Sequence, residues 1–443
     1  MAEVDPGTAV ASEQLDGLVT VLDLVRSGGA RTRPELGRRS GLGRTVITQR
    51  VAQLIDCGLL EEGALGASTG GRAPRELQFR ASAGHVLVAE LGATSISVGL
   101  ADLAGALLEQ DEEPSNIARG PEETLGRVEE LFEQLLTSRS PTDPPVWGIG
   151  IGVPGPVEFA TGRPIAPPIM PGWDGYPIRD RFAARYDVPV WVDNEVNLMA
   201  LGELRGGLAR GEHDLVYLKI GTGIGAGLIS RGLLHRGDQG CAGDVGHVAV
   251  ADDTTVVCRC GNTGCLEALA GGAALARDGA TAAAEGRSRY LADLLKEKDR
   301  IEARDVARAA AHGDPVSVDL LTHSGRLVGE MLATLVNFYN PALIIIGGGV
   351  AAAGDLLLAA IRQTVYRRSL PLATRDLRIA RSPLSDRAGL MGAAFMIIDE
   401  LFSRERLGTW IDHGTPIGRS DLVHAMATPA GAYELVRDRR LLT

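Results

Sequence analysis

The sequence predicts an α/β protein in two parts: a small helical unit carrying a β-wing, then a larger region in which strands and helices alternate. Three observations predict this. Apolar spacing is helical up to about residue 60 and becomes strand-like beyond residue 84. A hairpin closed by a glycine turn occurs twice, in HVLVAEL-GAT-SISVGL and in DLVYLKIGTGIGAGLIS. Residues 26–60 hold seven arginines against Glu35 and Asp56 in a chain whose net charge is −11, so basic charge is concentrated at one end.

In the helical unit, Leu15, Leu18, Leu22 and Val25 recur at helix spacing. Pro34 suits the first turn of a second helix, PELGRRS. Gly41-Leu42-Gly43 makes a tight turn into a third helix with Ile47, Val51, Leu54 and Ile55 on one face. Arg44, Thr45, Thr48 and Gln49 lie on the opposite face and can hydrogen-bond phosphates or base edges. This is the helix-turn-helix pattern, in which the second motif helix enters the major groove of double-stranded DNA. The LL pair, the glycine-rich GALGASTGGR with Arg72 at its end, and ELQF predict a β-wing. Together these bound a winged helix-turn-helix domain at residues 1–82. Such proteins usually bind palindromic sites as dimers, so a homodimer or a dimer of dimers on operator DNA is expected.

Beyond residue 84, PEETLGRVEELFEQLLTS reads as a helix, VWGIGIGVPGPVE as a buried strand entering a loop, and LVNFYNPALIIIGGGV as helix, strand and glycine turn. Two halves that each open on a glycine hairpin imply a duplicated α/β unit with a cleft between them. Glycine turns bring backbone N–H groups close to a phosphate, which singles out Gly92 and Thr94, then Gly221, Thr222 and Gly223, then Gly347 and Gly348. In VDNEVN, residues 192–197, two acids and two amides crowd a strand-to-helix junction; helix capping is the plain reading and a polar ligand site the sharper one.

His247, Cys258, Cys260 and Cys265 fall within 19 residues, and Cys3His is a standard tetrahedral set for one structural zinc per chain. Cys57 and Cys241 lack such partners and read as small apolar residues. With 443 residues and 45% hydrophobic content the chain can build two or three cores. Its overall acidity excludes a general polyanion binder. No apolar run reaches the ~18 residues that cross a bilayer, and the polar start is no signal peptide, so no membrane association and a cytoplasmic location with reduced thiols are expected.

GTGIGAG, GDVGH, CRCGNTGCLE and NPALIIIGGG resemble the ROK family of repressors, open reading frames and sugar kinases, over about residues 84–400. STGGRAP and the preceding helices resemble the DNA-binding half of its repressors, in the xylose-repressor/NagC-like group. The resemblance implies a two-lobed, actin-like sugar-kinase fold (of the RNase H-like ATPase type) over 84–402, with a C-terminal extension, 403–443, in which no motif is legible. It implies a sugar effector held by Asn194, Glu195, Asp244, His247 and Glu267. It also exposes departures. Family kinases carry Asp at position 195 as the base that deprotonates the sugar, Glu at 244, and Asp-x-Gly-Gly-Thr where this chain has Glu90-Leu91-Gly92-Ala93-Thr94. An added methylene displaces the base by ~1 Å, which can cost ~10²-fold. The expectation is a sugar-responsive repressor whose kinase region is a sensor, with no catalytic residue assigned and with ATP and magnesium left open. An active sugar kinase joined to a DNA-binding domain is the alternative, and a sugar phosphate or nucleotide as effector a third reading.

Overall fold

The computed structural model describes residues 6–65, 75–252, 255–351 and 354–426. The N-terminal unit has three helices, α1 (Pro6–Arg26), α2 (Arg33–Ser40) and α3 (Arg44–Asp56), then an antiparallel pair, β1 (Leu60–Leu65) and β2 (Arg75–Phe79). Thr32 caps α2, accepting from the Glu35 N–H, with Pro at the first turn. Gly41 ends that helix at φ 71°, the left-handed region where glycine is favoured. Leu22, Leu36, Val51 and Leu54 are fully buried among these helices. The strands flank the wing, and Leu77 N–H bonds the Arg31 carbonyl, fixing the wing to the α1–α2 turn. The wing tip, with Arg72, lies outside the described residues.

Lobe I begins with β3 (His85–Leu91), β4 (Ser95–Asp102) and β5 (Leu107–Pro114), followed by α4 (Pro121–Thr137), β6 (Val146–Val153), the short pair β7 (Val157–Glu158) and β8 (Arg163–Pro164), α5 (Ile178–Tyr186), β9 (Val190–Asn194) and α6 (Glu195–Gly206). Lobe II has β10 (Leu215–Ile220), β11 (Ile224–Ser230) and β12 (Leu233–His235), then α7 (Leu266–Ala270), α8 (Gly272–Ala284), α9 (Arg289–Glu297), α10 (Ala303–Ala311), α11 (Pro315–Tyr339), β13 (Leu343–Gly347), α12 (Asp355–Arg368), α13 (Pro371–Thr374) and β14 (Arg378–Arg381). The chain returns to lobe I through α14 (Ala388–Leu401) and ends its described part with α15 (Arg404–Trp410) and short 3₁₀ turns.

The two five-stranded sheets have the same plan, β5-β4-β3-β6-β9 and β12-β11-β10-β13-β14. In each, three strands form an antiparallel meander and the first also pairs in parallel with the next strand, which pairs in parallel with the last. The central strands β3, β6 and β13 are nearly continuous apolar runs because both of their faces are covered. Helices α6 and α14 pack on each other beside the two sheets. Glycine permits their contact, since a Cβ on Gly202 would lie 2.1 Å from the Ala388 carbonyl oxygen and one on Gly392 1.7 Å from that of Leu198.

The tail beyond α14, where no motif is legible, joins the N-terminal unit to lobe I. Trp410 is fully buried, meets Trp147 edge-on at 5.4 Å and donates its indole N–H to the Leu401 carbonyl. Phe402 packs edge-on against Phe79 of β2 at 5.9 Å. Gly408 backs onto Leu15 of α1, and Arg404 pairs with Asp16. Asp399 of α14 accepts from Arg26 of α1 at 3.3 Å and from Arg205 of α6 at 2.6 Å. One apolar cluster therefore runs from α1–α3 through α14 and α15 into α6. Among the described residues, no helix is long and apolar enough to cross a membrane.

Candidate ligand cleft, metal site and nucleic-acid face

A cleft of about 1020 Å³ opens between the lobes. Its wall in lobe I is the junction of β9 and α6. Asp193 is buried beneath it and accepts from the Asn194 N–H (2.7 Å), the Asn197 amide (2.9 Å) and Arg236 Nε (2.7 Å). Asn194 is the N-cap of α6: its oxygen accepts from the Val196 and Asn197 N–H groups, and its NH₂ donates to the Gly155 carbonyl at 2.7 Å. Capping therefore claims most of Asn194, leaving one N–H for the cleft. Glu195 has only 6% of its surface exposed and lines the cleft, with its Oε2 2.7 Å from the Lys219 ammonium of β10. The pair bridges the lobes.

Lys219 escapes a motif search because it sits just before GTGIGAG, in an otherwise apolar strand. The clue was its rarity, as one of three lysines in the chain. Burial opposes its charge, but the carboxylates of Glu195 and Glu90 outweigh that and raise its pKa. Glu90, at the end of β3, is the complementary case. Burial pushes its carboxyl up to about 8, with Glu195 and Asp386 adding to the rise and Lys219 opposing it. Its Oε2 is buried without a hydrogen-bond partner.

The glycine turns meet the cleft unequally. Gly92 and Thr94 line it, with the Gly92 N–H bonded to the Ser95 carbonyl. Gly221, Thr222 and Gly223 line it too and are bonded to the start of α8, through Gly272 N–H to the Gly221 carbonyl and Ala273 N–H to that of Thr222. Glu267 braces this turn, accepting from the Ile224 N–H at 3.1 Å; a Cβ on Gly223 would collide with its carboxylate. Gly348 reaches the cleft, but Gly347 does not: it ends β13, and a Cβ there would lie 1.9 Å from the Tyr217 hydroxyl. Its glycine is a matter of packing.

At the rim, one ligand atom from each of His247, Cys258, Cys260 and Cys265 lies within 4.8 Å of the others. Cys258 Sγ is 3.6 Å from His247 Nδ1, and the sulfurs of Cys260 and Cys265 are 3.7 Å apart. A tetrahedron with ~2.3 Å metal–sulfur bonds has ~3.8 Å edges, so the donors fit a tetrahedral metal such as zinc. His247 turns its other nitrogen, Nε2, to Asp244, 3.9 Å away, so its two nitrogens face different sites. Asp244 and His247 both line the cleft. Cys241, read as a small apolar residue, is exposed on the cleft wall.

On the N-terminal unit, Arg44, Thr45, Thr48 and Gln49 are exposed together on α3. The Thr48 hydroxyl donates to the Arg44 carbonyl, leaving its lone pairs free to accept. No side chain caps the start of α3 at Gly43, so its first N–H groups remain open to an anion. Arg26 and Arg33 are withdrawn from this face into pairs with Asp399 and Glu62.

The ROK family model matches residues 86–400. The xylose repressor of Caldicellulosiruptor bescii is 31% identical over 400 residues, covering 90% of this chain and 98% of that protein. A glucokinase of Thermotoga maritima is also 31% identical, over 323 residues, 72% of this chain and 97% of the glucokinase. The crystal structure of a ROK family transcriptional regulator homologous to the E. coli MLC protein superposes with a TM-score of 0.73 at 27% identity, covering 93% of this chain and all of that one. A Streptomyces griseus ROK glucokinase in complex with glucose and AMPPNP gives 0.62 at 31% identity, covering 71% and 99%.

Proposed function

The chain belongs to the ROK family, and on that premise we propose that it is a sugar-responsive, DNA-binding transcriptional regulator, a repressor, whose two-lobed region senses the sugar without phosphorylating it. One observation carries the choice over a kinase. The xylose repressor matches 90% of the chain, more than a match that skipped the 84 residues before the two-lobed region could reach, whereas the glucokinase matches 72%. The Lys219–Glu195 pair supports it, since a general base must be free to take the proton of the attacking hydroxyl.

In this reading α3 lies in the major groove, with Thr48 and Gln49 reading bases, Arg44 and Thr45 on phosphate, and Arg72 at the wing. The sugar occupies the cleft beside Glu195, Asp244, Glu267 and the Nε2 of His247, with the remaining N–H of Asn194. A zinc ion held by His247 Nδ1 and the three cysteines fixes the rim loop and, through the histidine, the face turned to the sugar. Two chains bind a palindromic operator. The sugar changes DNA affinity by favouring one arrangement of the lobes over another, and the seam of α14, α15 and α1 passes that change to α3.

The test is a gel shift on the DNA upstream of the protein's own coding sequence, with and without a panel of pentoses and hexoses, beside an ATP-coupled assay on the same panel. A sugar that shifts the operator complex without being consumed supports the reading. Robust ATP-dependent turnover favours the kinase alternative.

A further inference from the structure

The cleft keeps its glycine turns, yet its charge is unlike that of a polyphosphate site. Among the described residues, eight acidic side chains line it, the neutral Glu90 included, against three cations, and two of those, Arg300 and Arg304, pair with Glu302. That leaves Lys219, and it is committed to Glu195 at 2.7 Å. Its side chain lies along the turn that would cradle a phosphate: a Cβ on Gly221 would sit 3.4 Å from Lys219 Cε. Beside it is Glu90, buried, lining the same cleft, and with Oε2 unpartnered. We infer that Lys219 is the specificity-determining residue of the cleft: a built-in ammonium, paired with Glu195, that excludes a divalent cation and its nucleotide and confines the occupant to an uncharged polyhydroxylated molecule.

The reasoning is electrostatic. The buried Glu195 carboxylate, with the buried acid Glu90 near it able to give up its proton to a bound metal, would attract a hard divalent cation with oxygen ligands. An ammonium from lobe II supplies positive charge at that point, so a second cation is repelled and its bound phosphates lose their anchor. A phosphate arriving without a metal meets the surplus carboxylates. Neutral hydroxyls meet neither obstacle, and they find acceptors in Glu195 and Glu90.

The inference rests on the sugar-receptor reading only for the identity of the occupant, and the experiment separates the two. Thermal unfolding of the full chain is followed with about 10 mM MgCl₂, with Mg·AMPPNP, with glucose 6-phosphate and with the neutral sugar panel, for wild type, Lys219→Met and Lys219→Arg. Wild type is expected to respond to a neutral sugar and to none of the charged probes. Lys219→Met, which frees the Glu195 carboxylate, gains a rise of about 2–4 °C with MgCl₂, and Lys219→Arg, which keeps the charge, gains none. A Met variant as indifferent to MgCl₂ as wild type overturns the inference. So does wild type that takes Mg·AMPPNP or glucose 6-phosphate as strongly as a sugar, a result that decides the matter even if the Met variant does not fold. If no sugar stabilises wild type, the receptor reading fails while the MgCl₂ comparison still judges Lys219.

Discussion

The cleft floor and the seam under the N-terminal unit share helix α6 but are built in opposite ways. The seam is closed by apolar packing: Trp147, Phe402 and Trp410 interlock, and the Trp410 indole N–H has its acceptor, although the Trp147 indole N–H is buried without one. The cleft floor is incomplete: a neutral acid lacks a partner for one oxygen, an ion pair bridges two lobes, and glycine turns line the cleft wall. Unsatisfied buried polar groups occur in both regions, but Glu90 lines the open cleft, where a ligand can reach the groups around it, whereas Trp147 and Arg406 do not. A fully packed joint suits the opposite task of carrying displacement between two bodies. On the proposed reading, ligands act on the floor and the seam transmits.

Five measurements can break or sharpen that contrast. The largest effect is expected at the rim that completes the floor. Cys260→Ser should lose the one zinc per chain, as read by metal analysis, and with it the sugar response. Full zinc content in that variant would remove Cys260 from the ligand set. In the seam, Trp410→Ala should cost about 3–5 kcal/mol by leaving a cavity against Trp147. It should also weaken the effect of sugar on DNA binding more than sugar binding itself, as calorimetry beside gel shifts would reveal.

At the floor, Glu90→Gln should change the pH dependence of stability. The folded pKa, about 8, lies above the unfolded value of 4.5, so between the two the folded chain holds a proton that the unfolded chain releases. That contribution is present in full below pH 4.5 and is lost as pH rises towards 8. Relative to wild type, Glu90→Gln should therefore gain stability on going from acid to mildly alkaline pH, by on the order of a few kcal/mol. Parallel melting curves across that range would refute the assignment. Glu195→Gln should weaken the sugar response by about ten- to a hundredfold, the loss of a ~1.5–3 kcal/mol hydrogen bond to a charged acceptor, and leave sugar-free operator binding intact. The smallest effect belongs to Asp399→Asn, which loosens the partly exposed bridge of Arg26 and Arg205. It should cost about 0.2–1 kcal/mol of stability, with a change in sugar-dependent DNA affinity as the sharper readout.

The glycine hairpins, the helix-turn-helix and the Cys3His quartet were legible in the sequence because each is a local device. A tight turn needs glycine at a fixed place, a helix face needs its apolar spacing, and a rim-loop metal set needs its donors close along the chain. The cleft floor was legible only in part. Glu195 stood out at a strand-to-helix junction, but its partner Lys219 comes from the other lobe, and no local pattern records which lysine a fold brings to which carboxylate. Likewise Gly347 and the cleft glycines look alike in sequence; only packing puts one against Tyr217 and the others on the cleft wall. Asn194 could equally cap a helix or face a ligand, and the orientation of its amide shows that the cap takes most of it. The tail had no motif because its role is apolar complementarity with α1 and β2. The sequence by itself determined the elements and the local donor sets, through short-range steric and ligand-spacing constraints. The tertiary structure alone decided which charges meet across the cleft and that the tail is the joint, because both depend on distances between residues far apart in the chain.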